Sequence, residues 1–365
     1  MANRILDTKI ANMAEFERSI KNLTGEQLAA AIKNQANWQG TAIDEALTNF
    51  ALGIWRSDEG FVADKVFRTL NVPAESGHYY TFDSASIDVP TAGVVAENSM
   101  APEIKLPKLS VDYYRIKREG NGVWVSDQAV ERAGINGFSA FTFASKVQLR
   151  GLKVTKEKRF FDAYFKTGVW GIDAQGKSSG ATGNNFIQWN NKTTATPISD
   201  LRKLVAAVKL QIGEKPTTLT IAENAWNALI ECQQTLDTMS ALTGNLSGNF
   251  DSSMVTQDLI ARAIGISEVI ITDAVYRPKE GAAAQSFASK NALLTYSPKV
   301  GSTDIFTPSS GVIFQHADVG GMGDVGRVAT HYKSERYSTW MDAFFNVDMK
   351  IVMPKGGAYL YDIIA

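Results

Sequence analysis

The chain has 365 residues, 44% of them hydrophobic, and carries 37 Lys and Arg against 38 Asp and Glu, a formal net charge of −1. That is enough for one large or two medium domains with a full core, and the balanced charge excludes any general attraction to nucleic acid or to an anionic membrane. No apolar run reaches the roughly 18 residues a membrane helix needs. The start, MANRILDTKI, lacks the apolar stretch of a secretion signal, which predicts a protein made and kept in the cytosol. A lone cysteine, Cys232, excludes an intrachain disulfide and a cysteine metal cluster. The three histidines, His78, His316 and His331, are too scattered to suggest a metal site.

Residues 1–60 carry apolar residues at three-to-four spacing over 14–21, 24–33 and 41–52, with Thr24 and Gln27 placed as a capping box. They predict a helical N-terminal arm with little core of its own. Residues 61–125 predict an extended loop and its base. A strand over Val62–Leu70 enters it, a polar turn lies around Pro73–Gly77, and a second strand covers His78–Phe82. The arm proper, Asp83–Lys117, holds three prolines and little that it can bury. Its polar tip, Val94–Leu106, contains Glu97, Asn98, Ser99, Pro102 and Glu103, with Lys105 and Lys108 beside it. The return alternates, with Leu109, Val111, Tyr113 and Arg115 on one side and Tyr114, Ile116 and Arg118 on the other. That period of two predicts a strand.

Residues 126–196 predict a long helix and a surface loop. Ser126 or Asp127 caps the helix, and Gly137 in the run INGF interrupts it near its start. The stretch FSAFTFASKVQLRGLKVTKEKRFFDAYF lays Phe138, Phe141, Ala144, Leu149, Leu152, Phe160, Phe161 and Phe165 largely on one side. At about 1.5 Å per residue it spans about 40 Å, the length of a spine. Gly168–Thr196, rich in Gly, Ser, Asn and Thr, reads as a loop. Residues 197–312 predict a compact α/β domain. Its helices cover Pro197–Gly213 (capped by Ser199), Ala222–Gln233 and Thr256–Ile264, and its strands cover Pro216–Ile221, Val269–Thr272 and Ala292–Tyr296. Residues 313–365 are β-rich, with strands over Val312–Gln315, Arg327–Tyr337, Trp340–Val352 and Tyr359–Ile363 returning to the spine.

Chemistry is sparse. Gly321–Gly326 fits G-x-G-x-x-G, but a dinucleotide site needs a helix after it, and Arg327–Tyr332 reads as strand. A flexible glycine hairpin and a nucleotide-dependent oligomeric enzyme are the two readings of that run. Cys232 sits among apolar neighbours as a buried thiol. Asp58–Glu59 and the pair Glu97 and Glu103 read as solvated surface charge. Lys146–Lys166 holds seven cations against Glu157 and Asp162. It reads as the solvated face of a helix or as a face turned to nucleic acid. Nothing calls for a cofactor, a metal or a catalytic residue, so no enzyme is expected.

Several stretches carry a resemblance. FVADKVF followed by SGHYYTF resembles the entry to the extended loop of tailed-bacteriophage major capsid proteins. PTTLTIAENAWNAL, VTQDLIARAIGISEVIITDAVY and ASKNALLTYSP resemble the axial domain of the same group. In their order the parts resemble an α+β chain of the Hong Kong 97-type (HK97-type) capsid fold over residues 55–365. That resemblance implies an extended β-hairpin loop at 73–117, a peripheral domain of spine helix and C-terminal strands, and a compact α/β axial domain at 197–312.

It also implies a role in assembly. Many copies would close through hexamers and pentamers into an icosahedral shell around double-stranded DNA, held non-specifically. An encapsulin-like bacterial compartment is the alternative within the same fold. The implied partners are the chain itself, a separate scaffolding protein, a portal protein and a decoration protein. The implied place is the virion, after assembly in the host cytoplasm, with no membrane. Only 60 residues precede Phe61, so neither a fused scaffold nor an N-terminal cleavage is expected, and the arms should lock without covalent crosslinks. The expected subunit contacts are Glu97, Pro102, Glu103, Lys105, Lys108, Tyr113 and Arg115.

Overall fold

The computed structural model describes residues 42–43, 60–81, 95, 99–100, 110–135, 139–243, 251–298, 309–316 and 328–365. The expected N-terminal helices lie outside the described residues except at Ala42–Ile43, which form a short strand, β1, instead of helix. The glycine run 321–326, the tip residues Glu97, Pro102, Glu103, Lys105 and Lys108, and the pair Asp58–Glu59 also lie outside them.

After β1 the chain forms α1 (Ala63–Val66), β2 (Arg68–Asn71), β3 (Ser76–Thr81), β4 (Ser110–Arg115), β5 (Lys117–Ser126), α2 (Asp127–Ile135) and α3 (Ala140–Tyr164). Next come β6 (Ile172–Lys177), β7 (Phe186–Ile187), α4 (Pro197–Ile212), β8 (Thr218–Ala222), α5 (Glu223–Glu231), α6 (Gln233–Thr243) and α7 (Gln257–Ile264). The remainder is β9 (Glu268–Thr272), β10 (Val275–Tyr276), β11 (Gln285–Ser286), β12 (Ala292–Thr295), β13 (Gly311–Gln315), β14 (Val328–Lys333), β15 (Ser338–Ile351) and β16 (Gly357–Tyr361). The chain divides into two compact units. One holds 117–155 and 315–347 together with the N-terminal 58 residues; the other holds 59–116, 156–314 and 348–365.

In the first unit β15 pairs antiparallel with β14 on one side and β5 on the other, and β1 pairs with β14. Alternation along β15 sends Met341, Ala343, Phe345 and Val347 inward, each fully buried. The opposite face is half-open. There Trp340 and Phe344 lie over the bare backbones of Gly122 and Gly120, where a Cβ would come within 1.9 and 2.2 Å of the rings. Arg118 stacks on Phe344 and Arg336 on Trp124. Gln148 of α3 donates to the carbonyls of Asn121 (2.7 Å) and Met341 (3.1 Å), and Asn121 returns a bond to the Gln148 carbonyl (2.9 Å). A buried amide thus fixes the register of helix on ribbon.

The helix expected from Ser126 with an interruption near its start is present as two, Asp127–Ile135 and Ala140–Tyr164. Ser126 Oγ accepts the Ala129 N–H, and Ser139 Oγ accepts the Thr142 N–H. A second, freshly capped helix therefore starts after Ser139. The spine is α3, 25 residues long, which at 1.5 Å per residue spans about 37 Å. Its basic stretch is not wholly a solvated face, because Lys153 and Lys156 are buried, while Lys158 pairs with Asp162 one turn on.

In the second unit six strands run in the order β7-β6-β16-β12-β8-β9, parallel at β6–β7, β6–β16 and β8–β9 and antiparallel around β12. Every side chain of β8 and β12 is buried, as expected for strands with helices packed beside them. Helix α4 buries Leu201, Leu204, Val205, Val208 and Ile212, the face expected from the sequence. Its N-cap is Thr196 with Pro197 at the first turn, and Ser199 plays no capping part. Gly213 and Gly265 end α4 and α7 in the left-handed region, at φ 80° and 83°. The helix expected at Ala222–Gln233 breaks at Cys232, whose extended backbone (ψ 136°) separates α5 from α6.

Two expectations fail in this unit. Gly168–Thr196 is not a surface loop: Ile172, Ala174 and Gly176 alternate inward along β6, and Trp170, Phe186 and Trp189 are buried. The indole of Trp170 donates to the Tyr164 carbonyl at 2.8 Å. The last strand, β16, does meet the spine's end, through the Tyr359 hydroxyl on the Phe165 carbonyl (2.8 Å). Its own place, however, is inside the six-stranded sheet, between β6 and β12.

Candidate functional site

In the second unit the hairpin of β3 and β4 rises from a root built on the spine. The expected strand Val62–Leu70 is a turn of helix followed by a strand, and the cause is remote in sequence. Glu157 is 2% exposed, and its carboxylate accepts the backbone N–H of Val62 (2.7 Å) and of Ala63 (3.2 Å). That satisfies the first orphan donors of α1. Burial pushes the Glu157 carboxyl up to about 7, with Asp64 adding to the shift and the two N–H bonds and Lys156 opposing it. Beside it the Lys156 ammonium donates to both oxygens of Asp64, at 2.6 and 2.8 Å. Phe67, fully buried, inserts among Phe160 (5.1 Å between centroids), Tyr164 (5.0 Å) and Trp170 (6.2 Å). Gly311 on β13 leaves room for it, since a Cβ there would lie 2.3 Å from the Phe67 ring.

From this root β2 leads to the hairpin of β3 and β4, which pair from Ser76↔Arg115 to Thr81↔Ser110. The two faces of the hairpin differ. The inner face carries Tyr79 and Tyr114, which pack on Phe314 at 5.3 Å (tilted) and 4.5 Å (stacked). Leu70, Ile116, Val312 and Val352 complete that cluster. Gly77 lets the Tyr114 ring lie flat across the strand, where a Cβ would meet the hydroxyl at 2.5 Å.

Hydrogen bonds finish the anchor. Tyr79 Oη donates to Asp112 Oδ2 at 2.8 Å, and Asp112 Oδ1 accepts the Tyr113 N–H at 2.8 Å. These two bonds hold the Asp112 carboxyl below its ordinary value, while burial and the same bond push the Tyr79 hydroxyl up. Asp348, 7% exposed, accepts the Arg115 N–H at 2.9 Å, with Arg159 and Lys350 each 3.8 Å away.

The outer face carries Ser76, His78, Tyr80, Val111, Tyr113 and Arg115, the alternation read from the return strand. Tyr80, Val111 and Tyr113 are 56%, 58% and 61% exposed. Three large side chains in the open on a hairpin bolted down from beneath are what a contact surface offers. Of the expected contact residues, Tyr113 and Arg115 lie on this face. Tyr80 and Val111 join them without having been singled out; the pairing of Tyr80 with Val111 was the missing signal.

The remaining candidate residues lie as follows. Cys232 is fully buried, its thiol donating to the Ala228 and Trp189 carbonyls at 3.2 and 3.3 Å, and burial pushes it up to about 11. His78 is exposed, and His331 lies 3.9 Å from Asp342. Strand β14, not a helix, follows the glycine run 321–326, which removes the helix N-terminus that a dinucleotide would need. Among the described residues no cluster of His, Cys, Asp or Glu could hold a metal ion, and no helix is long and apolar enough to cross a membrane.

No family model and no curated protein matches the sequence. Solved structures do match the fold. A phage-related protein of Bordetella bronchiseptica RB50 superposes with a TM-score of 0.64 at 14% identity, over 89% of this chain and 98% of that one. The capsid of a native GTA particle gives 0.51 at 14% identity, over 83% of this chain and 90% of that one. The capsid of the cyanophage P-SCSP1u gives 0.50 at 10% identity, over 83% and 88%. With its hairpin arm, spine helix and compact α/β unit, the chain has the HK97-type fold of phage capsid structures.

Proposed function

We propose that this chain is the shell subunit of a tailed phage. Copies join through hexamers and pentamers into an icosahedral container for double-stranded DNA, in a structural rather than catalytic role. The observation that supports this most is the match of fold to two capsid structures across more than four fifths of the chain. In this reading residues 197–312 gather at the centre of each capsomer, the spine and the C-terminal strands form the periphery, and the arm reaches a neighbouring copy. Contacts are made by Glu97, Pro102, Glu103, Lys105 and Lys108 from the tip and by Tyr113 and Arg115 from the hairpin, without covalent crosslinks. A separate scaffolding protein, a portal and a decoration protein complete the particle, which assembles in the host cytoplasm.

The arm gives the test. Removing Val94–Leu106 leaves the root, the hairpin and both units intact, so the deleted chain should stay soluble and folded yet fail to form large particles in sedimentation velocity. Shells that form at the wild-type yield without the tip would remove the arm from the account. A Tyr80→Ser/Tyr113→Ser variant reads the hairpin face in the same assay, with loss or marked slowing of assembly expected.

A further inference from the structure

The root of the arm contains a buried carboxylate, Glu157, to which no cation among the described residues is hydrogen-bonded. Glu157 accepts two backbone N–H bonds from Val62 and Ala63, while the ammonium of its chain neighbour Lys156 donates to both oxygens of Asp64. Among the described residues, Asp64 and Lys156 act on it by charge. Asp64 and Lys65 come from α1, Lys156 and Lys158 flank it on the spine with Lys153 one turn earlier, and Asp273 lies against Gly60 at the start of the root. Two N–H donors favour the carboxylate, but removal from water and the like charge of Asp64 disfavour it. Burial is the largest of these effects, and it raises the group from its ordinary 4.5 to about 7.

We propose that Glu157 is a proton-sensitive latch on the root of the arm: the docked segment Val62–Phe67 is held firmly when Glu157 carries a proton and loosens when it is charged. The sign follows from linkage. A carboxyl that binds its proton more tightly when docked makes docking strongest below about pH 4.5 and weakens it as pH rises through about 7. A neutral carboxyl keeps one carbonyl oxygen as acceptor and sheds the cost of a buried charge. The segment is short: Val62–Phe67 is a single helical turn that packs on the spine through Phe67 and runs through β2 into the hairpin. Loosening it frees the base of the arm while Phe314 still holds the hairpin. That the segment is the root of an assembly arm rests on the shell reading; the latch itself is a property of the unassembled chain.

Hydrogen exchange on the unassembled full-length chain tests it, read at the amides of Val62–Phe67 and divided by the intrinsic rate at each pH. The amides of Ala292–Thr295, in the middle of the six-stranded sheet, serve as the control. Protection of the root should fall by about tenfold or more between pH 5.5 and 8.5, with the control unchanged, and Glu157→Gln should be flat across that range. Root protection in the wild type that is flat, that rises with pH, or that changes only in step with the control overturns the latch. So does a folded Glu157→Gln chain that keeps the slope. If that variant does not fold, the wild-type profile decides alone. Particle formation is not read in this experiment, so the latch and the shell can fail separately.

Discussion

Phe314 does more than fill space, because both inner tyrosines of the hairpin rest on its ring. Replacing it with Ala should cost about 3–5 kcal/mol in urea unfolding of the second unit, and the hairpin amides should lose protection first. Tyr79→Phe keeps the stacking and removes only the bond to Asp112, so about 1 kcal/mol is expected. A loss as large as that of Phe314→Ala would mean that the hydrogen bond, not the packing, holds the arm. At this scale the sequence was legible where the chemistry is local. The alternation Val111, Tyr113, Arg115 correctly marks the outer face, and Cys232 among apolar neighbours correctly reads as a buried thiol. Glu157 was not legible. It sat in a run of cations that read as a solvated face, and its partners, Val62 and Ala63, are more than ninety residues away.

Elements were read well when one stretch of chain decides them, and poorly when a distant one does. The helix break at INGF, the turn glycines Gly213 and Gly265, and the face of α4 are all set by neighbours in sequence. The entry FVADKVF is different: apolar residues at 62, 63, 66 and 67 suit either a strand or one helical turn, and the remote Glu157 carboxylate settles it as helix. Strand β5, KREGNGVWVS, escaped notice because two glycines break its alternation. In a strand, glycine marks a close approach by something else, and here the visitors are Phe344 and Trp340, more than two hundred residues on. Gly122→Val puts branched carbons where the Trp340 ring lies and should destabilise the first unit by about 1–3 kcal/mol in thermal or urea unfolding. An unchanged midpoint would show that the ring is free to turn away. Gly168–Thr196 failed for a related reason: its turn-rich composition hides a strand whose alternate residues are buried by β16 and the tryptophans.

For the whole molecule, the sequence conveyed the order of parts better than their boundaries. Entry, arm, spine, α/β unit and closing strands follow in the sequence expected, yet β6 and β16 both belong to the α/β sheet. Tyr80, Val111 and Tyr113 stand exposed on the hairpin, and Gly120, Gly122 and Gly311 lie under aromatic rings. The proposed shell role requires many copies of the chain to act together. The most direct measurement is to express the full-length chain, purify it by size and image it by negative-stain electron microscopy across a range of concentrations. The account predicts large closed particles or tubes of uniform wall thickness, built from a repeating capsomer. A chain that stays a dispersed monomer or small oligomer at tens of micromolar, with or without a co-expressed scaffolding protein, would contradict it.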